Sequence, residues 1–482
     1  MDSLNNLEPK LVFHYFEEIS KIPHGSKNTK HISDYCVDFA KEHGFDYIQD
    51  EWNNVIIKKN ASKGYEDAPT IILQGHLDMV CENDKDCNID FEKDGLDLRV
   101  EGDYVYANGT TLGGDDGIAI AYSLAILASE GLEHPALEFV FTVDEEIGLI
   151  GATEIDLSTL KGKRLINIDS EEEGIFLISC AGGAKVMCQL PVDYLMVKGL
   201  LCEVKVNGLL GGHSGIEIDK KRGNSNIIMG RILHELSNIM PFTIALLEGG
   251  SKDNAIPRET TSQILIDVKD QEKFKSLIEK YDKILKNEFK TSDPDVTVTG
   301  VIKEQSKIEV LTPKSRELVL FLLRNIPDGV QEMSADIKGL VETSLNAGII
   351  TLGHETFSLH SGLRSSIETK KDELIEKLKY LTEFLGGEIS VSGIYPAWEY
   401  RKESPLRDLF IEVYKEQYHK EPEIKAIHAG LECGIFSNKI SDLDCISFGP
   451  NIEGIHTTNE KLSISSTKRV WEFIIEVLKR SK

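Results

Sequence analysis

The feature that most constrains this chain is an apolar run at residues 71–80, which reads Ile-Ile-Leu-Gln-Gly-His-Leu-Asp-Met-Val. Its β-branched residues predict a buried strand that ends in polar groups. Because alternate residues of a strand share a face, His76 and Asp78 are expected on the same side. An imidazole can bind a metal ion while a nearby carboxylate orients the site. A histidine that merely completes the hydrogen bonds of a strand end is the alternative for this motif alone.

Two further predicted strands end in acidic residues. The run at 137–143 is followed by Glu145 and Glu146, and the run at 164–168 by Asp169. Between the first two strands, a Gly-Gly-Asp-Asp-Gly turn that contains Asp115 opens an apolar helix. Ligands of open α/β sheets bind at the carboxyl ends of strands. We therefore expect these side chains to converge on one edge of a sheet.

At 482 residues the chain is too long for one ordinary domain. From about Gly183 the pattern changes to alternating strands and helices, which favours a two-layer α+β domain. After residue 395 the alternation of strands, helices and ligand-like residues resumes. We predict an α/β catalytic domain, a mixed sheet flanked by helices, in two parts, 1–183 and 396–482. The inserted α+β domain spans 184–395, with two similar halves as a possibility.

Charge and composition limit the function. The net charge of −26 argues against a nucleic-acid partner or an anionic membrane surface. No apolar run has the roughly 18–20 residues of a membrane span, and the N-terminus shows no signal-peptide pattern. The eight cysteines are scattered without a CxxC pair, which is typical of reduced thiols. We expect a cytoplasmic protein.

Five polar residues at predicted strand ends and turns form a nitrogen and oxygen ligand set of the kind that zinc, manganese or cobalt accepts. They are His76, Asp115, Glu146, Asp169 and His456. Three unpaired carboxylates in a dry cleft would suffer a large desolvation penalty, which two divalent ions would relieve. One ligand must then bridge the ions, and Asp115, in its glycine-flanked turn, is the best placed.

The expected chemistry also needs a base. An unligated carboxylate can take a proton from water and pass it to a leaving amine. Glu145 and Glu146 are neighbours, so their side chains cannot both point in one direction. We assign Glu146 as a ligand and Glu145 as the general base. Cys81 and Cys87 have a spacing that fits no common zinc pattern, and we interpret them as surface-loop thiols.

Taken in order, these motifs and the late Gly454-Ile455-His456 resemble the co-catalytic zinc peptidases of the carboxypeptidase G2 and aminoacylase type. The resemblance covers essentially the whole chain, and residues 428–434 and 447–450 resemble the dipeptidases within that family. It implies the five ligands given above, Glu145 as base and Asp78 orienting His76. It also implies a cis peptide after Asp115, although residue 116 is Asp here where relatives often have Asn.

The same resemblance implies that the inserted domain is a lid that closes on the substrate. His213, in a Gly-Gly-His-Ser-Gly turn, could stabilise the oxyanion. Asn254 and Arg364 match positions that could hold the free carboxylate of the substrate, a task that suits the planar arginine fork. Arg222 and Arg258 are alternatives to Arg364. His428 and Glu432 could line an amine pocket or complete a turn.

We therefore expect a metal-dependent dipeptidase that hydrolyses short peptides, including Xaa-His dipeptides, with two divalent ions, Zn²⁺ or else Co²⁺ or Mn²⁺. An N-acyl amino acid hydrolase is the nearest alternative, because it uses the same metals and base on a pocket without an amine site. A non-catalytic binding protein is a third, disfavoured because Glu145 is present. A homodimer is expected because relatives often pair through the lid, with a monomer as the alternative.

Overall fold

The computed structural model describes Leu4 and residues 6–482. Its helices, in chain order, are α1 (Lys10–Ser20), α2 (Lys30–His43), α3 (Gly114–Ala128), α4 (Ile150–Glu154), α5 (Ser225–Ile239), α6 (Gln271–Glu288), α7 (Pro313–Asn325), α8 (Glu368–Phe384), α9 (Pro405–Tyr418), α10 (Glu432–Lys439) and α11 (Ile464–Arg480). No helix in this described part of the chain combines the length and the apolar character needed to cross a bilayer.

The strands, also in chain order, are β1 (Asp46–Gln49), β2 (Val55–Lys59), β3 (Ile71–His76), β4 (Leu98–Glu101), β5 (Tyr104–Ala107), β6 (Leu137–Thr142), β7 (Arg164–Asn167), β8 (Ile175–Cys180), β9 (Gly182–Pro191), β10 (Tyr194–Asn207), β11 (Gly212–His213), β12 (Phe242–Gly249), β13 (Ala255–Ile256), β14 (Thr260–Ile266), β15 (Thr297–Leu311), β16 (Gly329–Met333), β17 (Val341–Leu352), β18 (Thr356–Ser365), β19 (Glu388–Tyr395), β20 (Glu423–Ile427), β21 (Asp444–Ser447), β22 (Ile452–Glu453) and β23 (Lys461–Ser463).

The chain forms two compact units. The first contains the described residues up to Cys180 together with 400–426 and 431–482. The second contains 181–399 and the short segment 427–430. The chain therefore leaves the first unit and returns to it, and four residues of the returning part belong to the second unit.

The first unit is built on a mixed sheet with the order β1-β2-β6-β3-β7-β21-β8-β20. Strands β6, β3, β7 and β21 are parallel neighbours, whereas β2 pairs with β6 in the antiparallel sense. Helix α3 packs on β3 and α9 on β21. Almost all of α3 is buried, which explains why its sequence is apolar all round. The predicted mixed α/β sheet flanked by helices is confirmed.

A second, smaller sheet in this unit has the order β22-β23-β5-β4. It joins a segment near the start of the chain to one near its end, since β23 pairs with β5 through Leu462 and Val105. The turn that contains His456 connects β22 and β23 of this sheet. Its strand β4 lies within a stretch, residues 81–103, whose acidic composition does not suggest a strand.

The second unit is built on one nine-stranded antiparallel sheet. Its order is β15-β10-β14-β12-β17-β18-β9-β19, with β16 also paired to β17. Helices α5, α6, α7 and α8 pack on this sheet and share one apolar core with it. This is the α+β arrangement that the alternation of strands and helices predicts.

The order of strands in this sheet repeats in mirror sense. One half contains β10, α5, β12, β14, α6 and β15, and the other contains β9, α7, β17, β18, α8 and β19. In each half the first strand lies between the fourth and the third, and the second strand lies at the end that faces the other half. These second strands, β12 and β17, pair with each other at the centre of the sheet through Glu248–Thr351 and Gly249–Ile350. Because β9 precedes the first half, that half is inserted into the second.

Candidate metal centre

Three neighbouring parallel strands lead to three of the five candidate ligands, His76, Glu146 and Asp169. Strand β3 lies between β6 and β7 and ends at His76. Glu145 and Glu146 follow β6 after two residues, and Asp169 follows β7. Carboxyl ends of parallel strands meet at one edge of a sheet, so the sheet itself brings these groups together. The imidazole Nε2 of His76 lies 3.6 Å from an oxygen of Asp169.

Asp115 lies where the Gly-Gly turn enters α3, and it has a non-helical backbone with φ −85° and ψ 105°. The peptide bond between Asp115 and Asp116 is cis, as the resemblance implies. One carboxylate oxygen of Asp115 lies 3.2 Å from Nε2 of His76, and the other lies 3.2 Å from Nε2 of His456. The Asp115 carboxylate thus stands between two imidazoles and faces one with each oxygen.

His456 comes from the turn that follows β22, and its side chain is 46% exposed. Its Nε2 also lies 2.8 Å from an oxygen of Glu146. His76, by contrast, is 1% exposed. The arrangement therefore has a buried histidine on one side of Asp115 and a half-exposed histidine on the other.

Three overlapping groups of side chains in the described residues bring ligating atoms within 4.8 Å of one another. They are His76 with Asp116 and Asp169, His76 with Glu145 and Glu146, and Asp115 with Glu146 and His456. All five predicted ligands occur in these groups. Asp116 is an addition that the sequence reasoning did not assign, and one of its oxygens accepts the backbone N–H of His76.

The carboxyl groups of this site are crowded and buried. Burial raises the pKa of Asp169 to about 6 and that of Glu171 to about 7, with nearby carboxylates adding to the effect. Burial also raises the pKa of Glu145 well above its usual range. Burial opposes ionisation of Asp115 as well, but hydrogen bonds with His456 and His76 hold its pKa below the usual value. Without added positive charge, this cluster would resist full ionisation.

The two histidines respond to the same crowding. Burial acts to lower the pKa of His76, yet hydrogen bonds to the surrounding carboxylates raise it well above its usual value. Hydrogen bonds to Asp115 and Glu146 raise the pKa of His456 to about 10. Protons on the imidazoles thus balance the carboxylates in the metal-free protein. Divalent ions can replace those protons, so the donor set fits the two-metal expectation.

Asp78 contacts His76 through both its backbone and its carboxylate. The Nδ1–H of His76 donates to the backbone carbonyl of Asp78 at 2.9 Å, and the carboxylate lies 3.6 Å from that nitrogen. The carboxylate accepts the backbone N–H groups of Glu145 at 3.0 Å and Glu146 at 3.4 Å, and the hydroxyl of Ser26 at 2.8 Å. Asp78 therefore anchors the backbone that carries the predicted base and the predicted ligand beside it.

Glu432, at the first position of α10, is fully buried in the first unit. Its Oε2 accepts hydrogen bonds from Gln74 and Thr142, and no donor in the described residues reaches its Oε1. Burial raises the pKa of this carboxyl to about 7, with Asp169 adding to the effect. A buried carboxylate oxygen without a donor is a ready acceptor for a charged or polar group of a ligand.

A second acid belongs to the site but was not assigned from the sequence. Glu460, four residues after His456, is 2% exposed. Its carboxylate accepts hydrogen bonds from backbone N–H groups between Leu112 and Asp115. The only signal in the sequence is an acid that closely follows a candidate ligand.

A cavity of about 300 Å³ opens beside Glu146 in the first unit. Its wall is largely apolar and includes Met79, Val80, Phe91 and Ile147. Pockets of this size and character suit an apolar group of a small ligand.

In the second unit, His213 presents a defined tautomer. Its Nδ1 accepts the backbone N–H groups of Gly215 at 3.2 Å and Ile216 at 3.3 Å, so the proton of the neutral ring is on Nε2. Burial and the charge of Arg364 lower the pKa of this histidine. The ring is therefore neutral near pH 7 and offers one N–H donor, which suits the predicted oxyanion role.

Three arginines could bind a substrate carboxylate, and they differ in how many groups already contact them. Among residues 6–482, Arg364 has one hydrogen-bond partner. It donates to the Tyr395 hydroxyl at 2.7 Å. Arg222 is already held by Glu217 and the carbonyl of Gly211. Arg258 is exposed, with no ion pair or hydrogen bond among the described residues. The Asn254 side chain is also exposed and makes no hydrogen bond in the part of the chain that the structure describes.

His428 lies in the segment 427–430 and so belongs to the second unit, whereas Glu432 belongs to the first. The His428 side chain is buried, and its Nε2 lies 2.7 Å from the hydroxyl of Ser344. Burial, with Arg364 adding to the effect, lowers the pKa of His428 to about 3. This histidine is therefore neutral and tied to the sheet of the second unit.

Comparisons with known proteins identify the family and the fold of this chain. The sequence model of peptidase family M20/M25/M40 matches residues 72–480. The cytosol non-specific dipeptidase of Escherichia coli (strain K12) is 37% identical over 481 residues, which cover 99% of each chain. The crystal structure of aminoacylhistidine dipeptidase from Vibrio alginolyticus superposes with a TM-score of 0.93 at 34% identity, covering 99% of this chain and 97% of that one. Aminopeptidase PepT from Bacillus cereus, with 16% identity and a TM-score of 0.57 over 98% of this chain and 99% of that one, shares the fold.

Proposed function

This chain belongs to peptidase family M20/M25/M40, and on that premise we propose that it is a metal-dependent dipeptidase. The names of its relatives support this proposal, since both the E. coli and the Vibrio protein are described as dipeptidases. The E. coli relative is described as cytosolic and non-specific, so we extend to this chain a cytoplasmic location and a broad range of dipeptides, including Xaa-His.

The observation that carries the proposal is the position of the Asp115 carboxylate between His76 and His456. A carboxylate that faces a different imidazole with each oxygen is arranged to bridge two cations. His76 and Asp169 would complete one ion's ligand set, and Glu146 and His456 the other's. Divalent ions bound there, which we expect to be zinc with cobalt or manganese as substitutes, would polarise the peptide carbonyl and acidify water.

Glu145 is the proposed base. Burial raises the pKa of its carboxyl, which makes this group a better proton acceptor than an ordinary glutamate. It would take the proton of the attacking water and deliver it to the nitrogen of the leaving amine. The Asp78 carboxylate supports this role because it fixes the backbone N–H of Glu145.

Substrate-binding roles are proposed for residues of each unit. In the second unit, the Arg364 guanidinium and the Asn254 amide are proposed to bind the free carboxylate, and the His213 Nε2–H to bind the carbonyl oxygen as it becomes negative. In the first unit, the unpartnered oxygen of Glu432 is proposed to accept from the free amine. The neutral, buried His428 would shape the pocket, and the apolar cavity beside Glu146 would take a side chain of the substrate.

Hydrolysis assays with a small panel of substrates test this proposal. The panel contains the free dipeptides Ala-His, β-alanyl-His and Gly-Leu beside N-acetylated amino acids, each with zinc- or cobalt-loaded protein and with a chelator. We expect chelator-sensitive cleavage of the free dipeptides alone. Cleavage of the acetylated compounds alone would replace the dipeptidase by an N-acyl amino acid hydrolase. Metal binding without any cleavage would favour a binding protein. Sedimentation of the same samples would test the homodimer that we propose against a monomer.

A further inference from the structure

Glu460 makes an unusual set of contacts for a side chain that takes no part in the proposed chemistry. Its Oε2 accepts the backbone N–H groups of Leu112 at 2.7 Å and Gly113 at 3.1 Å. Its Oε1 accepts those of Gly114 at 2.8 Å and Asp115 at 3.3 Å. One buried carboxylate therefore binds four consecutive backbone N–H groups, and the last of them belongs to the candidate bridging ligand.

The two glycines of the turn make this approach possible. A Cβ added at Gly114 would lie 3.2 Å from Oε1 of Glu460, closer than ordinary van der Waals contact. Gly113 has φ +65°, in the left-handed region that side chains other than glycine seldom adopt. The two glycines before Asp115 therefore allow the Glu460 carboxylate to approach the backbone of the turn closely.

The four N–H groups need such a partner. Backbone donors at the entrance of a helix have no partner within the helix, and buried donors left unpaired are costly. Hydrogen bonds from N–H groups to an ionised carboxylate are stronger than those to a neutral acceptor. Glu460 therefore determines the conformation of the turn that presents Asp115.

Glu460 is also fixed with respect to His456. Its backbone N–H donates to the carbonyl of Thr457 at 3.1 Å, and the Thr457 hydroxyl donates to the carbonyl of Gly454 at 2.6 Å. His456 lies inside this hydrogen-bonded turn. The contact between Glu460 and the 112–115 turn consequently sets the position of His456 relative to Asp115, two members of one candidate metal group.

We propose that Glu460 is a positioning residue that holds Asp115 and His456 in their ligating arrangement before any ion binds. The inference rests on the proposed metal-dependent function but concerns a residue that touches neither substrate nor metal. It acts through hydrogen bonds to the backbone, so its loss should weaken the binding of one ion more than the other. The ion expected to suffer is the one held by Asp115, Glu146 and His456.

Glu460→Gln is the most informative variant. Gln keeps the size of the side chain and one acceptor oxygen, but its amide nitrogen would face backbone N–H donors instead of accepting from them. We expect Co²⁺ titrations of the metal-free protein, followed by calorimetry and by the visible absorption of bound cobalt, to show a 10–100-fold loss of affinity for one ion. The absorption of that ion should also change, because the directions of its ligands change. Glu460→Asp, which keeps the charge but withdraws it by one methylene, should be intermediate.

Glu138→Gln is the matched control. Glu138 is 3% exposed, lies in the same unit and accepts the backbone N–H groups of Lys161 and Gly162. Its replacement removes a buried carboxylate near the start of β6, where the residue pairs with Ile72 and its carboxylate also lies 3.3 Å from the Lys58 ammonium. We expect Glu138→Gln to lower the unfolding temperature while leaving cobalt affinity and absorption at the wild-type values. Equal losses of cobalt affinity in both variants would overturn the proposal, as would wild-type affinity and absorption in Glu460→Gln.

Amide hydrogen exchange of the metal-free wild type adds a test that needs no variant. If Glu460 holds the turn before metal binds, the N–H groups of residues 112–115 should exchange at least tenfold more slowly than those of an exposed turn. Fast exchange at these positions would overturn the proposal even if Glu460→Gln failed to fold. A wild type that binds no cobalt would contradict the proposed function instead, and slow exchange would still support the role of Glu460.

Discussion

His76 donates its Nδ1 hydrogen to the backbone carbonyl of Asp78 at 2.9 Å, and the carboxylate of that aspartate lies farther from the same nitrogen, at 3.6 Å. The hydrogen bond fixes the tautomer, so Nε2 is left to face Asp115 and Asp169. The orientation of the buried imidazole is therefore set by the main chain. The Asp78 carboxylate also accepts the backbone N–H groups of Glu145 and Glu146.

Asp78→Asn should for this reason damage turnover more than metal binding. Its amide cannot accept both backbone N–H groups of Glu145 and Glu146, whereas the carbonyl that holds His76 is unchanged. We expect kcat to fall roughly 10–100-fold and the affinity for Co²⁺ to fall less than that. Steady-state kinetics and cobalt titration measure the two effects. Ser26→Ala, which removes one hydrogen bond to Asp78, is the control and should have a much smaller effect on kcat. A loss of cobalt affinity as large as the loss of kcat would contradict this division of roles.

Glu145→Gln should separate catalysis from metal binding. Loss of a general base costs typically 10²–10⁴-fold in rate, and we expect kcat to fall by that factor with both ions still bound. Glu146→Gln is the matched comparison, since the neighbouring residue is the assigned ligand, and it should lose affinity for one ion. Metal content by atomic spectroscopy and kcat by dipeptide hydrolysis provide the readouts. If Glu145→Gln loses an ion and Glu146→Gln does not, the two assignments must be exchanged.

The groups of the candidate metal centre whose pKa values are raised should contribute less to the stability of the metal-free protein as pH rises from about 4 to about 10. Carboxyls with raised pKa values, such as Asp169 at about 6 and Glu432 at about 7, keep protons in the folded state that the unfolded state loses. His456, at about 10, extends the effect above the pKa of an unfolded histidine. At these groups the folded state binds more protons than the unfolded state, so their contribution to the free energy of unfolding decreases with pH. Groups with lowered pKa values, such as His428 at about 3 and Lys59 at about 8, act in the opposite direction.

Bound metal should reverse this trend. Ions displace those protons, so their affinity rises with pH, and each ion adds about 2.7 kcal/mol at a free concentration of 100 Kd. Thermal unfolding at pH 5, 7 and 9, with zinc and with a chelator, tests both expectations. A chelated protein that becomes more stable between pH 5 and pH 9 would contradict the assigned shifts in pKa.

Glu432→Gln should impair recognition of the substrate amine. The variant keeps the shape of the side chain but loses the charge behind the unpartnered oxygen. A hydrogen bond to a charged group contributes about 1.5–3 kcal/mol, so kcat/KM for Ala-His should fall roughly 10–100-fold. Any cleavage of N-acetylated amino acids should be unaffected, because they lack the amine. An equal loss for both substrate classes would assign Glu432 to the structure of the site.

Arg364→Lys should raise KM for free dipeptides. Lysine keeps the charge but not the planar fork, and we expect a rise of about tenfold or more with a smaller change in kcat. Arg258→Lys is the control, because Arg258 is an exposed arginine of the same unit. For a dipeptide amide, which lacks the free carboxylate, KM should be the same in Arg364→Lys as in the wild type. A larger rise in KM for Arg258→Lys would transfer the clamp to that residue.

The convergence of ligands could be predicted from local sequence. The runs that end at His76, before Glu145 and before Asp169 are apolar and rich in β-branched or aromatic residues, and such runs form buried strands almost regardless of context. Their parallel pairing then determines which ends meet. The family followed from the order of these motifs, and the mixed sheet followed from the family.

Contacts between distant segments could not be predicted in the same way. Glu460 meets Leu112 across 348 residues, and Glu432 meets Gln74 across 358. Nothing in the local sequence of either acid shows that it is buried. The sequence of β4, Leu98-Arg99-Val100-Glu101, is half charged, and it forms a strand by pairing with β5. In each case the tertiary partner supplies the energy that local preference does not.

The joint between β12 and β17 has a consequence for how the enzyme should respond to dilution. The strand ladder there has only two residue pairs, and helix α5 of one half also packs on α7 and β17 of the other. Two separate chains joined in this way would dissociate at sufficiently low concentration. Here both halves lie in one polypeptide, so each remains near the other at an effective concentration that the solvent volume cannot change. If activity is lost on dilution, the cause must therefore be dissociation at an interface other than the β12–β17 pairing.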